Sequence, residues 1–144
     1  DATFNHCADL YSQATFYKAS WDDYKAQEPV LLATQSDLQS ALAEDEAEVV
    51  RLEKIRQIMQ NSDEVRDKYH RAYDRYKRTH RAVEEFHQDA SALFERANND
   101  RQKSIRARDR ISSECPNEMN TQLLKSKCSP GHDQHRAICA AFGQ

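Results

Sequence analysis

Between Pro29 and Pro116 the sequence runs for 86 residues without a proline or a glycine. The whole chain of 144 residues contains two glycines and three prolines. Because tight turns depend largely on these two residue types, this composition disfavours a β-rich fold. So long a stretch without a strong helix breaker predicts long helices, and we therefore expect an all-α protein.

Apolar residues recur at spacings of three and four along most of the chain, which is the pattern of amphipathic helices. This spacing predicts helices over 1–28, 30–60 and 62–113, with a candidate break at 98–100. Pro29 is expected to separate the first two helices, since proline fits the first turn of a helix but not its interior. Asn61 and Glu64 have the spacing of a capping box at the start of the third helix. Short helices are expected in the tail over 116–144.

The charges favour antiparallel pairing of the second and third predicted helices. Among the charged residues, those of segment 37–53 are mostly acidic and those of segment 65–82 are mostly basic. With 38% hydrophobic and 31% charged residues, the apolar stripes must be narrow. We therefore predict a single domain over 1–144: an elongated antiparallel bundle of three long helices with a short, disulfide-tied C-terminal helical tail.

The four cysteines lie near the two ends of the chain, at Cys7, Cys115, Cys128 and Cys139. None forms a closely spaced pair of the kind that binds zinc. An even number of widely separated cysteines predicts two disulfides and an oxidising compartment, so we expect a secreted, extracellular protein. Four cysteines allow three pairings. We favour Cys7–Cys115 with Cys128–Cys139, because the ends of the chain are its least self-supporting parts.

A basic segment and one aromatic residue are the candidate partner-binding features. The segment 101–110 has five positive residues and one negative residue. Phe16 and Tyr17 are adjacent, so both cannot face the same helical seam, and an exposed Phe16 would suit a protein partner. The predicted partner-binding residues are Arg101, Lys103, Arg106, Arg108, Arg110 and Phe16.

Other classes of function have little support in the sequence. There is no glycine-rich phosphate loop, dinucleotide fingerprint or nucleophile-elbow motif, so we expect no catalysis and no cofactor. The six histidines show no ligand spacing, and we expect no metal. Tyr69, Tyr73 and Tyr76 alternate with arginines, but two of them lie on the apolar stripe and we expect no nucleic-acid binding. No apolar run is long enough for a membrane span.

We expect a helical protein that binds another protein, as an effector or inhibitor. The layout of a small helical chain with terminal disulfides is similar to that of secreted proteins of parasites and blood-feeding arthropods that bind host proteins. That similarity implies, for example, a host protein as the partner. Two alternatives are a carrier of a small hydrophobic ligand and an intracellular coiled-coil assembly subunit. We expect a monomer rather than a dimer.

The intact mass under native, non-reducing conditions distinguishes these hypotheses. With four cysteines in two disulfides, the chain should be four hydrogen atoms lighter than its reduced form. A monomer of this mass with nothing bound agrees with the protein-binding hypothesis, whereas retained extra mass favours the carrier. A reduced dimer would contradict the predicted compartment.

Overall fold

The computed structural model describes residues 2–117, which form two long helices. Helix α1 spans Ala2–Ile58 and helix α2 spans Asp63–Glu114, with a turn over 59–62 between them. The all-α prediction is confirmed. The predicted tail helices and the predicted Cys128–Cys139 pair lie outside the described residues.

The chain forms two helices where the sequence predicted three, so the three-helix bundle is not confirmed. The predicted boundary at Pro29 is wrong, because α1 continues through this residue. A proline inside a helix removes one backbone hydrogen bond and costs about 3 kcal/mol. Pro29 is exposed, while Glu28 and Leu31 on either side of it are half-buried, so packing continues past the proline. The candidate break at 98–100 is also absent, since α2 is continuous there.

Residues at alternating spacings of three and four form the inner side of each helix. This period of 3.5 residues is the heptad pattern of coiled coils. All of the residues at these positions are buried or half-buried, and we call them the seam. In α1 the seam consists of Cys7, Leu10, Ala14, Tyr17, Trp21, Tyr24, Glu28, Leu31, Gln35, Leu38, Leu42, Asp45, Val49, Leu52 and Arg56. In α2 it consists of Val65, Tyr69, Ala72, Tyr76, Thr79, Val83, Phe86, Ala90, Leu93, Ala97, Asp100, Ser104, Ala107 and Ile111.

The described residues fall into two compact units. The first contains 2–26 and 93–117, and the second contains 27–92. The prediction of a single domain stays a prediction.

In the first unit the N-terminal part of α1 packs antiparallel to the C-terminal part of α2. Its core is a cluster of buried side chains from both helices: Cys7, Leu10, Tyr11, Ala14, Ala107, Ile111 and Cys115. The Ser104 hydroxyl donates a buried hydrogen bond of 2.9 Å to the carbonyl of Ala14. The Ser20 hydroxyl donates one of 2.6 Å to Asp100. These polar contacts fix which residues of the two helices face each other.

The Cys7–Cys115 disulfide that the sequence favoured is present in the core of this unit. The two Cα atoms are 6.0 Å apart, within the usual range for a disulfide. The bond joins residues separated by 108 positions. In the chain-entropy account, closing a loop of that length stabilises the fold by roughly 4–5 kcal/mol.

In the second unit α1 and α2 form a helical hairpin around the turn at 59–62. The hydroxyl of Ser62 accepts a hydrogen bond of 3.2 Å from the backbone N–H of Val65. The N-cap of α2 is therefore Ser62 rather than the predicted Asn61, since a cap bonds the N–H three residues further on. Across the seam, the Thr79 hydroxyl donates to Asp45 at 2.5 Å.

Truncation of one core leucine should cost far more than truncation of an exposed one. Leu10 is 1% exposed and Leu32 is 60% exposed. We expect Leu10→Ala to lower the free energy of unfolding by about 2–5 kcal/mol, because it leaves a cavity. Leu32→Ala should change it by less than about 0.5 kcal/mol. Urea denaturation followed by circular dichroism measures both, and equal losses would contradict the assigned core.

Candidate partner-binding surface

All five basic residues predicted from 101–110 are exposed on α2 in the first unit, but they form two rows. Lys103, Arg106 and Arg110 are separated by three and four positions, so they follow one side of the helix. Arg101 and Arg108 are seven positions apart and form the other row. The segment that is continuous in sequence is therefore split by the helical rotation.

The first row borders a groove of about 270 Å³ between the two helices. Gln13 and Tyr17 of α1 form its other wall, opposite Lys103, Arg106 and Arg110. The ammonium of Lys103 lies 5.1 Å from the centre of the Tyr17 ring, which is cation–π geometry. The groove thus has an aromatic wall on α1 and a cationic wall on α2. We call it the basic groove.

Phe16 lies beside the basic groove and is 70% exposed. Its ring meets the ring of Tyr17 edge-on, with centroids 5.3 Å apart. The prediction that one of these two adjacent aromatic residues faces solvent agrees with this arrangement. Burying an exposed phenylalanine side chain against a partner releases roughly 1.5–3 kcal/mol.

Arg101 belongs to a second cluster, which the sequence did not predict. Its guanidinium lies 5.2 Å from the ring centre of Trp21. Tyr24 stacks on Trp21 at 5.7 Å, and the Phe94 ring meets both in edge-on contacts at 5.8 and 6.4 Å. Phe94 remains 44% exposed.

The position of Arg101 beside Trp21 follows from the disulfide register. Trp21 is fourteen residues after Cys7, and Arg101 is fourteen residues before Cys115. Once these two cysteines are paired in an antiparallel pair of helices, equal counts from them bring the two residues together. Tyr17 is ten residues after Cys7 and Lys103 is twelve residues before Cys115, so the same counting places these two residues within two positions of each other. The contact between Trp21 and Arg101 could therefore be predicted from the sequence only once the Cys7–Cys115 pairing is known.

Arg110 differs from the other cations of the basic groove because its charge is compensated. Its guanidinium donates hydrogen bonds of 2.7 and 3.2 Å to Glu114. The His6 ring nitrogen lies 2.9 Å from the same carboxylate. The hydrogen bond from Arg110, followed by the contact with His6, lowers the pKa of Glu114 to about 2. Arg106, in contrast, makes no ion pair with another described residue, and its charge faces solvent.

Within 2–117 no group of three or more histidine, cysteine or acidic residues is placed to hold a metal ion. None of the helices in that range has an apolar stretch long enough to cross a bilayer.

In comparisons with known proteins, no protein-family model, curated protein or solved structure matches the chain.

The contact between Arg110 and Glu114 should be visible in the pH dependence of the Glu114 carboxyl. Because its pKa falls from 4.5 to about 2, the stabilisation is complete above about pH 4.5 and is lost as the pH falls through about 2. An NMR titration of the side-chain carbon should give a midpoint near 2. Arg110→Gln should move the midpoint towards 4.5, while the control Arg106→Gln should leave it unchanged. A midpoint near 4.5 in the unaltered chain would contradict this contact.

Proposed function

We propose that this chain is a secreted or surface-exposed, disulfide-stabilised helical protein that binds another protein and catalyses no reaction. The observation that carries the proposal is the position of Phe16, exposed to 70%, next to a groove with uncompensated positive charge. An apolar anchor beside a charged rim is a common arrangement at protein interfaces. The partner would therefore present an apolar pocket flanked by acidic side chains.

The two parts of this surface have different physical roles. Lys103 and Arg106 attract an acidic partner over a distance and raise the rate of encounter, and this effect weakens with added salt. Phe16 contributes after contact, when its ring leaves water. Tyr17 and the rigid pair of helices hold the anchor in place, so that little conformational entropy is lost on binding.

The extracellular location is part of the proposal and is supported by the Cys7–Cys115 disulfide, since disulfides persist in oxidising compartments. Binding of this type fits an effector or inhibitor, for example one that acts on a host protein. The carrier has less support, because charged and polar side chains dominate the lining of the basic groove. The heptad seam favours the coiled-coil class to which an assembly subunit would belong, but the disulfide argues against a cytosolic one.

Capture from extracellular fluid with the immobilised chain tests this proposal. Phe16→Ala should weaken binding of the captured protein at least tenfold, which corresponds to about 1.4 kcal/mol. Lys103→Glu with Arg106→Glu should lower the association rate and reduce its dependence on salt.

Matched controls come from exposed residues of the second unit. Leu32→Ala removes an apolar side chain and Arg78→Glu reverses a charge outside the basic groove. Both should bind as the unaltered chain does. Capture that is unaffected by the Phe16 and Lys103/Arg106 substitutions would contradict the proposed surface, and failure to capture any protein would contradict protein binding.

A further inference from the structure

The second unit has an apolar face that the hairpin does not use. Ala43, Ala47, Val50 and Ile58 of α1 are exposed, with Val50 at 48% and Ile58 at 83%. In the same stretch the seam towards α2 uses Leu42, Asp45, Val49 and Leu52. Positions outside the seam of a water-exposed helix pair are ordinarily polar, because they face solvent. We call Ala43, Ala47, Val50 and Ile58 the outer face of α1.

Ala43, Ala47 and Val50 of this face line a surface groove of about 640 Å³. Besides apolar residues, its lining includes Glu46, Arg51 and Lys54. Arg51 is already held by Glu48, through hydrogen bonds of 3.0 and 2.7 Å. Glu46 and Lys54 make no ion pair with any residue that the structure describes. The face therefore has two uncompensated charges of opposite sign.

The positions of these charges are self-complementary. Glu46 lies four residues before Val50 and Lys54 lies four residues after it. Each is therefore about 6 Å from Val50 along the helix axis. When a second α1 packs antiparallel and crosses at Val50, Glu46 of each copy faces Lys54 of the other. In the same arrangement the small Ala43 of one copy lies near the large Ile58 of the other. The two faces are therefore complementary in side-chain size as well as in charge.

From these observations we propose that the outer face of α1 is a self-association surface, at which two copies of the chain pack antiparallel about Val50. The arrangement has two-fold symmetry, in which one patch meets its own copy. This inference does not depend on the proposed function, and it departs from the monomer expected from the sequence. A contact over four or five helical turns is small beside the roughly 800 Å² per partner of stable interfaces. The dimer should therefore dissociate on dilution.

Charge exchange at Glu46 and Lys54 gives the sharpest test. Sedimentation equilibrium of the full chain over a range of concentrations measures the association constant. Glu46→Lys and Lys54→Glu should each lower it by about tenfold or more, because each puts like charges together at two symmetric places. The double variant restores opposite charges and should recover an association constant within about threefold of the unaltered chain.

Control variants distinguish a specific contact at this face from a general effect of net charge and from unfolding. Glu85→Lys makes the same change of charge at an exposed position of α2 and should have no effect on the association constant. Circular dichroism of each variant verifies that the helices are intact. A short bismaleimide should crosslink two copies of Val50→Cys but not two copies of Leu32→Cys.

Three results would overturn the proposal. One is a monomer at every concentration, and another is a dimer that is insensitive to both single substitutions. The third is a double variant that stays as weak as the single ones, since that result excludes the Glu46–Lys54 pairing.

Discussion

The contact of α1 with α2 along one narrow seam is the interaction on which the other features depend. A third helix would have enclosed a wider core, but within residues 2–117 each helix has only the other to bury its apolar side. Alanine and polar residues are interspersed among the large side chains of the seam, so many of its layers bury little area. Stability must therefore come from the length of the contact and from the disulfide that closes it near Cys7.

Polar groups in the seam specify which layers meet. A regular heptad pattern alone allows two helices to slide by seven residues with little loss of apolar contact. The hydrogen bonds from Ser104 to the Ala14 carbonyl and from Thr79 to Asp45 would be broken by such a slip. Each would leave a partly or fully buried polar group without its partner, which costs about 1–3 kcal/mol. These hydrogen bonds therefore contribute less to the free energy of folding than to the selection of one register over the others.

The all-α class and the turn near residue 60 could be predicted from the sequence, because a run without proline or glycine that has helical apolar periodicity is compatible with few other folds. The predicted helix boundary at Pro29 was wrong for a physical reason. Glu28 and Gln35 are polar residues at seam positions, and they divided one continuous pattern into what looked like two stripes around a proline. A local rule for proline then predicted a boundary, whereas packing on both sides of Pro29 maintains the helix.

The predicted charge pairing between helices is only a secondary effect. Ion pairs such as Arg51 with Glu48 and Lys68 with Glu64 form within one helix, between residues three or four apart. A weaker electrostatic effect does act between the two helices. The hydrogen bond from Arg51 is the main cause that lowers the pKa of Glu48, and the charge of Arg75 on α2 lowers it further.

The candidate surface shows a similar limit of sequence reasoning. Exposed Phe16 and the basic residues of α2 could be named from the sequence, because each is visible within its own helix. Tyr17 and Trp21 could not be assigned to them, since they reach Lys103 and Arg101 from the other helix. Which residues of α1 meet which residues of α2 depends on the register of the two helices, and the Cys7–Cys115 pair and the polar contacts of the seam agree on that register.

The position of the disulfide has a topological consequence. With Cys7 bonded to Cys115, the backbone between them forms a covalent ring that contains most of α1, the turn at 59–62 and the whole of α2. Exposed turns are preferred sites of proteolytic nicking. A single cut in this turn opens the ring but separates nothing, because the two fragments stay joined through sulfur and remain paired along the seam. A chain nicked at this turn is therefore expected to persist as a disulfide-linked two-chain form.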